Sequence, residues 1–177
     1  MAAHCELAAS RILDDALGRY GTALWEQVHL GASDRLVLQL AIAPRYTWGY
    51  AARHMKNLFA RLRWYDLVPD QIHTVVTDGY GTPAPLGSGS VATDTYATAA
   101  RAPDGRVVIV YVPTIRPITV DMSKLSGPTA ARWYDPSIGE YIRVGGSPFS
   151  NTGSRQFTPP GKNHDGDGDW VLVLEAS

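Results

Sequence analysis

The chain has 177 residues, with 16 Lys and Arg against 17 Asp and Glu and a net charge of −1, long enough for one domain with a real core. Its cations are scattered along the chain, which argues against a nucleic-acid partner held by phosphate neutralisation. Cys5 is the only cysteine, so an intrachain disulfide and a Cys-rich zinc site are excluded.

Residues 1–20 carry Glu6, Arg11, Asp14 and Asp15 among their apolar residues and lack the basic-then-apolar layout of a secretion signal. Cys5 to Leu17 reads as a helix stopped by Gly18. Residues 22–42 are ambiguous between short helices and strand-like pieces. Trp25 reads as a core residue and Glu26 as a solvated one. The run Leu36–Ala43, broken by Gln39, falls far short of the roughly 20 residues of a spanning helix, so no membrane segment is expected.

Thr47–Leu62 holds the strongest helical pattern. Trp48, Ala51, Ala52, Met55, Leu58, Phe59 and Leu62 recur at steps of three and four, with Arg53, Lys56, Asn57 and Arg61 on the other side. Thr47 is a candidate cap, and the helix must end before Pro69. Trp64-Tyr65 and Leu67-Val68-Pro69 read as a packed exit. His54, among polar neighbours, is expected in solvent.

After this helix the pattern becomes that of strands. His73–Thr77 has strand composition, and the Gly- and Pro-rich stretch 79–90 is a loop. Thr95–Arg101 and Arg106–Val112 flank the turn Pro103-Asp104-Gly105 as a hairpin. The unbroken Val/Ile run of its second arm predicts a strand buried on both faces. Ile118–Met122 alternates like a half-exposed strand. Thr129–Val144 is a second hairpin, in which Pro136 sets the first turn residue and Gly139 supplies a positive φ. Arg155–Thr158 and Asp169–Glu175 complete about eight strands. The fold expected is mainly β, an antiparallel β-sandwich led in by a helical segment.

Chemical motifs are sparse. Pro83 and Pro85 forbid the helix start that a phosphate loop at Gly79-Tyr80-Gly81 needs. Gly145-Gly146-Ser147-Pro148-Phe149 fails as a nucleophile elbow at its last position. The histidines show no i, i+4 pair for a metal. In Asn163–Asp169, alternate Asp165, Asp167 and Asp169 with glycines between can fold around a hard cation. The run reads rather as an acidic turn before the last strand, because the bidentate Glu of a calcium loop is missing. For ligand stacking, strand alternation puts Trp133 in the core and leaves Tyr134 and Tyr141 as exposed candidates.

Three ordered stretches carry a family resemblance: Ala131-Arg132-Trp133-Tyr134-Asp135-Pro136-Ser137-Ile138-Gly139-Glu140-Tyr141, Phe157-Thr158-Pro159-Pro160-Gly161 and Asp169-Trp170-Val171-Leu172-Val173-Leu174. Together they resemble the C-terminal module of apiosidase-like bacterial glycoside hydrolases, a module labelled collagen-binding. Met55–Phe59 and Trp64–Gln71 resemble the last helix of that family's (β/α)₈ barrel and its exit, so the likeness spans residues 48–176.

The resemblance implies three parts: a divergent lead over 1–46, the helix and exit over 47–72, and the sandwich over 73–177. In that family the catalytic carboxylates lie upstream, and 46 residues are too few for a barrel of about 250. No catalytic residue is therefore carried over and no cofactor is expected. The chain looks like the tail of such an enzyme, with a divergent or truncated beginning. The implied role is a non-catalytic accessory module, supporting a barrel and binding polysaccharide. Collagen or another extracellular matrix protein is the alternative partner, and glycosidase activity of the chain itself the remote one. The Trp48/Met55/Phe59 face, without a barrel, is a candidate for burial against a second copy.

Overall fold

Alternate side chains of each long strand divide between two apolar surfaces, and that division organises the molecule. The computed structural model describes residues 48–83 and 95–177. The expectations for residues 1–46, for Thr47 and for the loop beyond residue 83 lie outside them. Within the described residues, helix α1 (Trp48–Arg61) is followed by nine strands: β1 (Val68–Pro69), β2 (Val76–Asp78), β3 (Thr98–Arg101), β4 (Val107–Val112), β5 (Ile118–Asp121), β6 (Thr129–Asp135), β7 (Glu140–Arg143), β8 (Ser154–Phe157) and β9 (Trp170–Ala176). They form two antiparallel sheets, ordered β1-β3-β4-β9-β6-β7 and β2-β5-β8. The expected sandwich is present. The strand beyond the expected eight is β1, which the exit segment adds by pairing Val68 with Arg101 and Pro69 with Ala100.

The inner face of the six-stranded sheet contributes Val108, Val110, Val112, Trp133, Leu172 and Leu174. These pack against Val76, Ile118, Val120 and Phe157 of the smaller sheet. The outer face contributes Ile109, Tyr111, Tyr134, Val171 and Val173, and α1 covers them with Leu58 and Leu62, flanked by Met55 and Phe59. Strand β4 is thus buried on both faces, as its composition predicts, and each such side chain contributes about 1.5–3 kcal/mol. Met55 and Phe59 of the face expected to meet a second copy pack, half-buried, on the chain's own sheet, while the side chain of Trp48 lies outside the described residues.

Two local differences have clear causes. Strand β2 begins later than the composition of 73–77 suggests, because Asp70 gathers the turn before it. Its Oδ1 accepts from the Thr74 N–H (2.7 Å) and hydroxyl (2.8 Å), its Oδ2 from the N–H groups of Val75 (2.8 Å) and Val76 (3.0 Å). The exit from α1 is also less packed than expected. A 3₁₀ turn over Trp64–Asp66 directs Trp64 and Tyr65 outward, 39% and 62% exposed, and Leu67 packs in their place.

Candidate ligand-binding surface

The β6–β7 hairpin is built around Asp135. Its carbonyl accepts from the Gly139 N–H at 2.9 Å, and its Oδ1 accepts from the Ser137 N–H (2.8 Å) and hydroxyl (2.5 Å). Gly139 has φ +78°, as the turn requires. The register then sets Tyr134 opposite Tyr141 and Trp133 opposite Ile142. Trp133 lies in the inner core, as strand alternation predicts.

The expected exposure of Tyr134 is corrected: it is 2% exposed. Both faces of the sheet are covered at this point, so alternation sends it out of one core into the other. Its hydroxyl donates to the His54 carbonyl of α1 at 2.6 Å, and burial pushes its pKa well up, with Tyr141 adding to the shift. Tyr141 is half-buried. Its ring lies 4.9 Å from that of Tyr134 at 56°, and the Arg132 guanidinium sits over it at 5.0 Å. The two tyrosines therefore do not form a coplanar stacking platform. His54, expected in solvent, is half-buried, with its imidazole against Gly139.

Asp165, Asp167 and Asp169 do not converge. The loop folds around Asn163, whose Oδ1 accepts from the N–H groups of Asp165 (3.1 Å) and Asp167 (3.0 Å). The Asn163 Nδ2 donates to Asp169 Oδ1 at 2.7 Å, and the Tyr111 hydroxyl donates to Asp169 Oδ2 at 3.4 Å. Asp169 is buried while Asp165 is exposed. Burial raises the Asp169 pKa to about 6. Nearby, Asp135 Oδ2 accepts from the His164 N–H at 2.9 Å. Among the described residues, no three His, Cys, Asp or Glu side chains are grouped as a metal ion requires.

Two clusters emerge to which the sequence reading gave no function. His73, at φ +53°, stacks on Tyr80 at 3.8 Å and 9°, and its Nε2 lies 3.2 Å from the Tyr96 hydroxyl. Arg116 braces this group by donating to the carbonyls of Gly79 (2.6 Å) and Tyr80 (2.9 Å). The Asp70 turn that places His73 has no periodicity to betray it. The second cluster is the outer side of α1, where Arg53, Lys56, Asn57, Ala60 and Arg61 are exposed, followed by Arg63. Their spacing was the available signal. The reading of the cations as merely scattered is revised here, because residues 48–63 hold four of them and no acid.

A family model described as "Putative collagen-binding domain of a collagenase" matches residues 86–175. Among solved structures, a glycoside hydrolase is similar at 27% identity and a TM-score of 0.52, over 75% of this chain and 28% of that one. A glycoside hydrolase family 5 protein from Bacteroides vulgatus ATCC 8482 is similar at 27% identity and a TM-score of 0.51, over 71% of this chain and 24% of that one. The chain thus spans about a quarter of the length of these enzymes. Comparison with curated proteins gives no match.

Proposed function

The chain belongs to the collagen-binding-domain family whose model it matches over residues 86–175, and from that premise we propose that it is the non-catalytic accessory module of a glycoside-hydrolase-type protein, supporting a catalytic barrel and holding polysaccharide beside it. Proportion carries this reading. Three quarters of the chain aligns with little more than a quarter of a glycoside hydrolase, as a module of a larger enzyme does. In this reading residues 47–72 are the connection to the barrel and 73–177 the sandwich.

The chemistry of the sheet supports the absence of catalysis. Glycoside hydrolysis uses two carboxylates flanking a sugar. Here the buried carboxylates Asp135 and Asp169 engage internal donors, from Ser137 and His164 and from Asn163 and Tyr111. Purified chain is expected to release no chromophore from aryl glycosides, and hydrolysis that persists through repurification overturns the non-catalytic assignment. Retention on insoluble polysaccharide is the expected binding result. The family's description favours a second reading, binding of collagen or another extracellular protein. Retention on collagen with none on polysaccharide would select it.

A further inference from the structure

The half-turn of α1 that faces away from the sheet carries cations and no acid. At about 100° per residue, Met55, Leu58, Phe59 and Leu62 cluster on the side packed against the outer core. Arg53, Lys56, Asn57, Ala60 and Arg61 fall on the opposite side, all exposed, and Arg63 continues their line past the helix end. At a rise of about 1.5 Å per residue, Arg53 to Arg63 spans about 15 Å, the length of a short oligosaccharide. The whole chain has a net charge of −1, so the four cations of residues 48–63 leave −5 on the remainder. One cationic stripe therefore stands out on an otherwise acidic chain.

The stripe ends on aromatics. Trp64 and Tyr65 are both exposed and meet edge to face at 6.2 Å. The Arg63 guanidinium lies 5.8 Å from the Tyr65 ring centroid and pairs with Asp66 at 2.8 Å. Along one margin, Arg61 lies close enough to Tyr141 to oppose the rise in its pKa caused by burial.

We infer that this stripe holds an acidic polysaccharide strand, with its carboxylate or sulfate groups on Arg53, Lys56 and Arg61 and a sugar ring on Tyr65. The inference rests on the polysaccharide reading above and specifies the ligand's charge. Charge complementarity selects an anion. A few cations spread over one side of a single helix, on a net-acidic chain, suit a flexible strand with spaced charges better than a duplex, whose dense phosphates call for a broad cationic footprint. Among the described side chains, the outward side of the helix presents only Ala60 as an apolar residue between the cations, too little to enter a membrane. The exposed ring adds the stacking surface that a pyranose ring needs.

The test is affinity electrophoresis of the whole chain in gels containing polygalacturonate, dextran sulfate, a neutral β-glucan or duplex DNA. Retardation by one or both acidic polysaccharides is expected, and comparing them distinguishes carboxylate from sulfate. It should weaken steeply towards about 0.15 M salt, where the screening length falls to about 8 Å. The exposed-site variant R53Q/K56Q/R61Q, checked for an unchanged melting temperature, should lose at least about tenfold in affinity. Tyr65→Ala should lose about three- to tenfold without changing the salt dependence. Unretarded migration in both acidic gels, undiminished binding by the triple variant, or equal binding to DNA overturns the inference. Retardation by the neutral glucan alone overturns the stripe and leaves the polysaccharide reading standing, whereas binding to collagen alone removes both.

Discussion

The two faces of the six-stranded sheet are built from the same strands and solve burial differently. The inner face meets the smaller sheet with aliphatic and aromatic residues such as Val110, Trp133 and Leu172. The outer face meets α1 with Ile109 and Val171 but also with Tyr111 and Tyr134, whose hydroxyls reach Asp169 and the His54 carbonyl. The inner face is therefore a hydrophobic contact without direction. The outer one fixes the helix in rotation as well as position, because a hydroxyl bonded to a particular carbonyl tolerates little sliding. That fixing decides which side of α1 faces outward, so the cationic stripe owes its presentation to the outer core.

The largest effect should come from the inner face. Val110 is fully buried there, and Val110→Asp places an unpaired carboxylate between the sheets. Against a total stability of about 5–15 kcal/mol, that cost should abolish the cooperative melt seen by circular dichroism. A soluble V110D protein with a sharp transition would show that the inner core is not closed. Leu58→Ala tests the outer face, where Leu58 is 1% exposed. It should cost about 2–5 kcal/mol, and if the helix docks semi-independently the loss should appear first in near-ultraviolet tyrosine dichroism. An unchanged melt would mean that α1 rests on the sheet without stabilising it.

Asp169 lies at the end of the outer face and supplies a pH test. Burial raises its pKa from 3.8 to about 6, so the folded state holds the proton more tightly than the unfolded one. Its contribution is therefore greatest below 3.8, falls as pH rises, and is fully lost above about 6. The difference corresponds to about 2–3 kcal/mol. Asp169→Asn keeps an acceptor for Asn163 and removes the titration. Relative to the native chain, D169N should gain in melting temperature as pH is raised through that window. A constant difference across it would mean that Asp169 is not buried as an acid.

Much of the scaffold was legible because strands announce themselves by period and composition. The Val/Ile run of β4, the Gly139 turn and the apolar side of α1 are each local patterns. The helix's destination was not local. Periodicity identifies an apolar stripe but not what it covers, so the Met55/Phe59 side was matched to an absent partner rather than to the molecule's own sheet. The same gap misplaced Tyr134, since strand alternation separates two faces without stating that both are buried. The acidic run 163–169 read chiefly as a turn without showing what holds it: the Asn163 side chain organises the loop by accepting from backbone N–H groups. The cations of α1 were in plain view. Only the placement of the apolar side shows that they face outward.

The smallest effect isolates the hydroxyl that orients the helix. Tyr134→Phe leaves the ring and its contacts in the outer core and removes the 2.6 Å bond to the His54 carbonyl. That carbonyl is within α1, so the intrahelical acceptor role remains available to it and the loss should be confined to about 0.5–1.5 kcal/mol. The comparison of faces makes a sharper demand than this small number. If the hydroxyl sets the rotation of α1, the variant should also change the environment of the His54 imidazole beside Gly139, visible as a shift of its NMR resonances, while Trp133 on the inner face keeps its fluorescence. A variant that loses stability with both signals unmoved would reduce the bond to a generic contribution. The apolar contacts of Leu58 and Leu62 would then suffice to aim the helix.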